Sequence, residues 1–337
     1  MKQPTFVIAE IGQAHDGSLG ILHSYIDAVA QTGVDAIKFQ THIAAAESSI
    51  HEPFRVKFSY VDKTRYDYWQ RMSFDAAQWA EIKAHCDSVG LEFMSSPFSN
   101  AAVDLLEDIG IARYKVGSGE VSNFLLLERL SQTGKPVILS SGMSSFNELD
   151  AAVSFLQARD IQVSVMQCTT SYPTPAERLG LNIIGELKQR YGLPTGLSDH
   201  SGTPHPAIAA AALGAELVEV HAIFDKRMFG PDSRSSLSLD QLSQMVEGIR
   251  MIDTSLANPI DKDDLTPYRE LKGIFEKSLA VNKDLPAGHR LSFGDLEAKK
   301  PAGQGIAARD WQQVIGQPLK QPLSQWAFLN SKDLDNA

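Results

Sequence analysis

The sequence predicts a closed (β/α)8 barrel followed by a small, mostly β domain, and three observations carry that reading. Eight short β-branched runs alternate with stretches at helical spacing from the N-terminus to about Arg250. The 337 residues suffice for one such barrel, which commonly takes about 250, plus a small additional domain. Beyond Asp253 the texture changes from periodic to polar and turn-rich. An open, doubly wound sheet has the same local pattern and is the alternative, because closure rests on the count of strands.

Taken in order, the strand candidates are TFVIAEIG, DAIKFQT, LEFMSSP, ARYKVGSG, PVILSSG, VSVMQCT, PTGLSDH and LVEVHAI. The helix candidate GILHSYIDAVAQTG is typical of what lies between them, with apolar Ile21, Tyr25, Ala28 and Val29 and a terminating Gly33. One connection, from about Ala44 to Met72, is long and carries HEPFRVKFSYVDKTRYDYWQR, rich in aromatic and basic residues. Loops of that length are either functional lids or packing flaps and subunit contacts. The barrel is expected over residues 1–255. A Pro-containing linker is expected over 256–276, and the small domain over 277–337. A domain of about 60 residues is marginal alone, so it is expected to dock on something.

The composition excludes several functions. A formal net charge of -10 and a pI near 5.4 argue against a broad nucleic-acid or anionic-membrane surface, so an anionic ligand must be met locally. Cys86 and Cys168 are the two cysteines and lie far apart, too few for a disulfide framework or a four-sulfur zinc site, which fits a reduced cytoplasm. No run approaches about 18 uninterrupted apolar residues.

In a parallel barrel the carboxyl ends of the strands form the functional face. Here those ends deliver Glu10, Lys38 with Gln40, Ser95 with Ser96, Lys115 with Ser118 and Glu120, and Ser140 with Ser141. They continue with Thr170 and Tyr172, then Ser198, Asp199 and His200, then Glu219 and His221. A lone serine or lysine at a strand end is usually just solvated, whereas eight such coincidences are hard to dismiss. His200 and His221, on neighbouring strands, can give two imidazole ligands to a divalent metal with positions left for water and substrate oxygen. Mixed nitrogen and oxygen ligation suits Mn2+ or Mg2+. Lys38 and Lys115, with Ser96, Ser118 and Ser140, can cradle a phosphate or carboxylate; a lysine Schiff base is the rival chemistry. KVGSGE lacks the features of a P-loop or a dinucleotide fingerprint. Cys168 reads as a small buried residue with no adjacent base.

The segments EIGQAHDGS, DAIKFQT, YKVGSGE, GKPVILSSGM, CTTSYPTP, GLSDHSG and ALGAELVEVH, then FGPD and SLS, together resemble the sialic acid synthase family. These are nonulosonic acid synthases, which condense phosphoenolpyruvate with an N-acyl hexosamine. The tail, SLAVNKDLPAGHRLSFGDLEAKKP, resembles the antifreeze-like SAF domain of that family.

The resemblance implies a (β/α)8 barrel with a SAF domain in a domain-swapped homodimer, one subunit's SAF domain covering the other's barrel mouth. It places metal ligation on His200 and His221, and phosphoenolpyruvate on Lys38, Ser96, Lys115, Ser118, Ser140 and Ser198. The sugar would face Glu10, Gln40, Tyr172, Glu219 and Asp232, with Glu120 and Asp199 in support. Glu10, Glu219, Lys38 and Lys115 would carry the catalysis. The implied product is N-acetylneuraminate, made from N-acetylmannosamine. Legionaminic, pseudaminic or 9-phosphorylated acids are alternatives, as is the product of another phosphoenolpyruvate–aldose synthase. Four departures from the family pattern leave the sugar open: Ala14 where an asparagine is common, Val220 in place of the usual basic residue, Thr170 where some bacterial members place an asparagine near phosphoenolpyruvate, and Lys300 where many members carry an arginine that reaches the neighbouring sugar site.

Overall fold

The computed structural model describes residues 3–56 and 58–335, which form two units that divide between Asn258 and Pro259. All eight predicted barrel strands form: β1 Phe6–Glu10, β2 Ala36–Thr41, β3 Glu92–Pro97, β4 Tyr114–Val116, β5 Val137–Ser140, β6 Val163–Cys168, β7 Thr195–Asp199 and β8 Leu217–Ile223. Each pairs in parallel with the next, and β1 also pairs with β8, with Glu10 opposite both Lys38 and His221. That last pairing closes the sheet and removes the open-sheet alternative. A short strand β9, Leu237–Ser238, adds to the end of β8.

The connecting helices start where local chemistry tells them to. Capping boxes open the helices Arg65–Met72, Ala76–Ser88, Phe146–Gln157 and Leu239–Ala257, pairing Thr64 with Asp67, Asp75 with Gln78, Ser145 with Glu148 and Ser238 with Gln241. In each, two otherwise orphaned backbone N–H groups are satisfied. Among the described residues no helix is long and apolar enough to cross a membrane.

Side chains alternate across a strand, and here the alternation separates two cores. One set, including Val7, Ala9, Ile37, Phe39, Phe93, Val116, Leu139, Val165, Val218 and Val220, packs outward against the helices. The other set points into the barrel and begins with a floor of Ile8, Ala36, Met94, Ile138, Met166 and Leu217. On β7 the floor position is Gly196, where a Cβ would lie 2.1 Å from the Leu217 carbonyl oxygen, so only glycine lets these strands approach. Beneath the floor, Arg113 pairs with Glu92 at 2.6 Å and lies over the Phe6 ring.

The long connection after β2 is not structureless. It holds short helices at Ala44–Glu47 and Arg65–Met72 and a core of its own, Tyr68, Trp69 and Met72 packed by Phe54 and Phe58.

The first helical elements of the second unit are a 3-10 turn, Thr266–Tyr268, and a helix, Arg269–Phe275, inside the segment expected to be linker. Next come antiparallel β10 Ser278–Val281 and β11 Leu296–Lys299, with isolated bridges around a leucine-rich core. Its buried Asp295 accepts hydrogen bonds from His289 and from the amide and hydroxyl of Ser292, and pairs with Lys283.

Candidate active site

Two residues beyond the apolar floor, the inward positions turn polar. Glu10, Lys38, Ser96, Lys115, Ser140, Cys168, Ser198 and Glu219, one per strand, line a cavity of about 500 Å3. Its centre is an alternating charge network. Lys38 Nζ pairs with Glu10, lies 3.3 Å from Ser96 Oγ, and sits 3.8 Å from Glu219 Oε1. Lys115 Nζ donates to Ser140 Oγ at 2.7 Å and to Glu219 Oε1 at 3.2 Å, and Ser198 Oγ donates to the same oxygen at 3.2 Å. All four charged residues are buried.

Burial opposes charge on Lys38 and Glu219, yet proximity prevails. For Glu219 burial raises the pKa, but Lys115 and Lys38 outweigh it and hold the carboxyl down at about 2. For Lys38 burial lowers the pKa, and Glu10 and Glu219 together push it above the ordinary lysine value. Lys38 and Glu219 are therefore both charged at neutral pH. The Oε2 atom of Glu219 is buried without a hydrogen-bond partner, which leaves acceptor capacity in the cavity wall, whereas Glu10 Oε2 is taken by Lys38.

Further toward the mouth stand Gln40, Thr170, Tyr172, His200, His221 and Asp232. Burial, then the His221 charge, lowers the His200 pKa to about 3, so its imidazole is neutral. Its Nδ1 lies 3.2 Å from the Thr169 carbonyl oxygen, which assigns the proton to Nδ1 and leaves the Nε2 lone pair free. The Tyr172 ring is 4.2 Å from that of His200, and burial raises its phenol pKa. Asp232 places Oδ2 3.9 Å from His221 Nδ1 and accepts from Arg55 at 2.9 Å through Oδ1.

Two glycines keep these groups in reach of one another. At Gly12, with φ +52°, a Cβ would meet Glu10 Oε1 at 3.3 Å and Gln40 Nε2 at 3.5 Å. At Gly142 it would lie 2.4 Å from Thr170 Oγ1 and 2.6 Å from Ser118 Oγ. The Ser118–Glu120 turn brings Ser118 and Glu120 to the same cavity. Glu120 accepts from Asn123 at 2.7 Å, and its carboxyl pKa is raised by burial.

Not every strand-end residue turns inward. Asp199 is buried and accepts from the Ser201 amide and hydroxyl, with its pKa raised by burial. Ser95 bonds Thr41, and Ser141 bonds Gln167. All three sit one residue out of step with the inward set, so the pleat points them elsewhere. Lys300 belongs to the second unit, where its Nζ lies 4.7 Å from the Phe275 ring. Val220 packs in the outer core.

The cavity also contains groups that sequence reasoning passed over: Gln13, His42, Glu47, Glu52, Arg55, Arg65 and Trp69. All but Gln13 and His42 come from the long connection. Its aromatic and basic content marked it as a candidate lid, but nothing local indicates which residues fold inward.

The donor set fits a metal at an open site. His200 and His221 have ring centroids 5.1 Å apart, and His200 has a free Nε2 backed by a carbonyl on Nδ1. Among the described residues no cluster of three or more His, Cys, Asp or Glu is arranged as a metal cage. Two imidazoles would leave the remaining positions to water and substrate oxygen.

Comparison with known proteins identifies the family. The NeuB family model matches residues 25–261, and the SAF domain model matches residues 276–325. The chain belongs to the NeuB family. This NeuB-family chain is thus a phosphoenolpyruvate-dependent enzyme of the nonulosonic acid synthase family. It is 32% identical over 318 residues to N,N'-diacetyllegionaminic acid synthase of Campylobacter jejuni, covering 93% of this chain and 95% of that one. It is 29% identical to pseudaminic acid synthase of Helicobacter pylori over the full length of both. A solved structure of N-acetylneuraminic acid synthetase from Leptospira borgpetersenii, in complex with citrate, is similar with a TM-score of 0.70. That match has 27% identity and covers 80% of this chain and 90% of that one. These relatives differ in product, so identity at this level leaves the sugar open.

Proposed function

We propose that the chain condenses phosphoenolpyruvate with an unphosphorylated N-acyl hexosamine, N-acetylmannosamine, to give N-acetylneuraminate and phosphate. The observation that carries this reading is the buried Lys38–Glu10–Glu219–Lys115 network, two ammonium groups held among hydroxyls at the base of an otherwise acidic cavity. An anion with a phosphate and a carboxylate can be bracketed by Lys38 and Lys115 with Ser96, Ser118, Ser140 and Ser198.

The rim supports an uncharged sugar. Arg55 is already paired with Asp232, and Arg65 lies 3.5 Å from Glu52. Glu47 and Glu120 add negative charge nearby, which opposes a sugar 6-phosphate. A 2,4-diacetamido hexose, leading to legionaminic acid, is the second reading, favoured by the relative at 32% identity.

In the reaction, carbon 3 of phosphoenolpyruvate attacks the open-chain aldehyde, water adds at carbon 2, and phosphate leaves by carbon–oxygen cleavage. A divalent Mn2+ or Mg2+ held by His200 and His221 would supply Lewis-acid polarisation of the aldehyde. Lys38 and Lys115 hold the phosphate and carboxylate charge while it redistributes. Glu219, ionised and with Oε2 free, can take the proton of the entering water. Tyr172, Gln40 and Glu10 orient the sugar hydroxyl and amide groups.

We further propose a homodimer in which the second unit of one subunit covers the cavity mouth of the other. Exposed Ile50, Tyr60 and Val61 on the long connection, and exposed Leu271, Ile274 and Phe275 in the second unit, are the apolar surfaces such an arrangement would bury. A mass of one chain by light scattering, or full activity of a chain ending before Arg269, overturns it.

Phosphate release from phosphoenolpyruvate with Mn2+ tests the function against N-acetylmannosamine, its 6-phosphate, 2,4-diacetamido hexoses and arabinose 5-phosphate. Release with N-acetylmannosamine, lost on chelation, is expected. Silence with every amino sugar overturns the reading, and a borohydride-trapped adduct on Lys38 or Lys115 replaces it with Schiff-base chemistry.

A further inference from the structure

His42 stands out because it is buried, lines the cavity and is held on every side, yet the reaction as described does not use it. Its ring is clamped between Trp69, 3.7 Å away at 18°, and Phe98, 4.5 Å away at 11°. Its Nδ1 lies 2.5 Å from Glu47 Oε1, and its Nε2 lies 3.0 Å from Gln13 Nε2. A carboxylate can only accept, so Nδ1 carries the proton; Nε2 faces both the Gln13 NH2 and, at 3.2 Å, Gln40 Oε1, and carrying no proton of its own it accepts from Gln13.

With Nε2 as acceptor, the rest of the network has one arrangement, in which the Gln13 NH2 group serves both His42 Nε2 and Gln40 Oε1. Gln13 points its NH2 group at His42 Nε2 and, at 2.5 Å, at Gln40 Oε1. With Oε1 so engaged, Gln40 turns its NH2 to Glu10 Oε1 at 3.0 Å. Reversing the Gln40 amide would set oxygen against the Glu10 carboxylate and NH2 against NH2 of Gln13. A buried network of this kind is stable only when every member is satisfied.

We infer that His42 is a positioning residue for the amino-sugar subsite. Glu47 selects its tautomer, the tautomer orients Gln13, and Gln13 fixes which face of the Gln40 amide and which Glu10 oxygen meet the sugar. Because Glu47 closes the short helix Ala44–Glu47 at the start of the long connection, seating of that segment and polarity of the subsite are linked. The inference rests on the proposed function, in which Gln40 and Glu10 face the sugar.

Two substitutions separate the relay from the aromatic clamp. His42→Phe keeps a ring between Trp69 and Phe98 but removes both nitrogens, whereas His42→Gln loses the ring but can place an amide oxygen against Gln13. The relay predicts that His42→Phe raises KM for the amino sugar roughly tenfold with KM for phosphoenolpyruvate unchanged, and that His42→Gln recovers most of the loss. Equal KM values in His42→Phe and the parent, or a His42→Gln variant worse than His42→Phe, overturn it. A measurement independent of turnover is the tautomer itself, read by nitrogen–proton correlation NMR of the parent at neutral pH. A neutral Nδ1–H ring is expected; an Nε2–H or doubly protonated ring overturns the relay whatever the substrate. If the parent turns over no amino sugar, the functional reading fails in the parent and takes the sugar-positioning role with it. A relay failure appears only in the variants or the tautomer.

Discussion

Six strands of the barrel make the same transition in two residues: Ile8 to Glu10, Ala36 to Lys38, Met94 to Ser96, Ile138 to Ser140, Met166 to Cys168 and Leu217 to Glu219. The lower members form an apolar floor, and the upper members line a cavity that also takes Lys115 from β4, so that this layer holds two lysines and two glutamates. Both layers are buried and both sit on regular strands, so backbone geometry does not distinguish them. The difference is energetic. The floor gains stability from every methylene removed from water, roughly 25 cal/mol per Å2. In the upper layer dehydration of the charges costs free energy that mutual pairing offsets only while every partner is present. Stability is thus concentrated in one layer and chemistry in the next.

The largest expected effect comes from breaking the upper layer. Lys115→Met should lower phosphate release by about 10^2–10^3-fold, as loss of a charge-stabilising donor does. It should also destabilise the barrel by about 3–5 kcal/mol, because Glu219 loses a buried counter-charge. Adding Glu219→Gln should restore much of that stability and none of the activity. Urea unfolding and steady-state kinetics on the single and double variants read the two effects separately.

The floor should respond the other way. Ile138→Ala is expected to cost about 2–5 kcal/mol in unfolding free energy. Both KM values should stay within about twofold, since the inward cavity wall is unchanged. A large change in KM for phosphoenolpyruvate would show that the layers are mechanically coupled.

Gly142→Ala tests how tightly the upper layer is packed. A Cβ 2.4 Å from Thr170 Oγ1 and 2.6 Å from Ser118 Oγ must displace one of them, so KM for phosphoenolpyruvate should rise by about tenfold. Unchanged kinetics would mean that neither hydroxyl positions that substrate. The smallest effect is expected at the rim. Arg55, half in solvent, pairs with Asp232 and lies 4.1 Å over the Tyr172 ring. Arg55→Ala should raise KM for the sugar by about two- to fivefold, in keeping with an exposed ion pair plus a cation–π contact.

Much of this is legible in the sequence. Strand positions follow from β-branched runs, and the inward set follows from period-two alternation. Lys38, Lys115, Ser96, Ser198 and Glu219 could therefore be named from spacing alone. The same alternation, applied strictly, separates Ser96 from Ser95 and Ser140 from Ser141, and would have set Asp199 apart from Ser198 and His200. The helix starts were equally readable, since Ser145 and Glu148 or Ser238 and Gln241 mark a capping box within four residues.

Tertiary structure alone decided the rest. Closure of β1 on β8 brings Glu10 opposite His221, residues more than 200 positions apart. The clamp on His42 joins the residue after β2, the loop after β3 and the helix Arg65–Met72. The long connection places Arg55 on Tyr172 only because its own small aromatic core holds it across the mouth. A repeating pattern is set by backbone geometry acting on neighbours, so it is written in the local sequence. A contact between distant segments depends on how whole elements pack, and no short stretch of sequence encodes that.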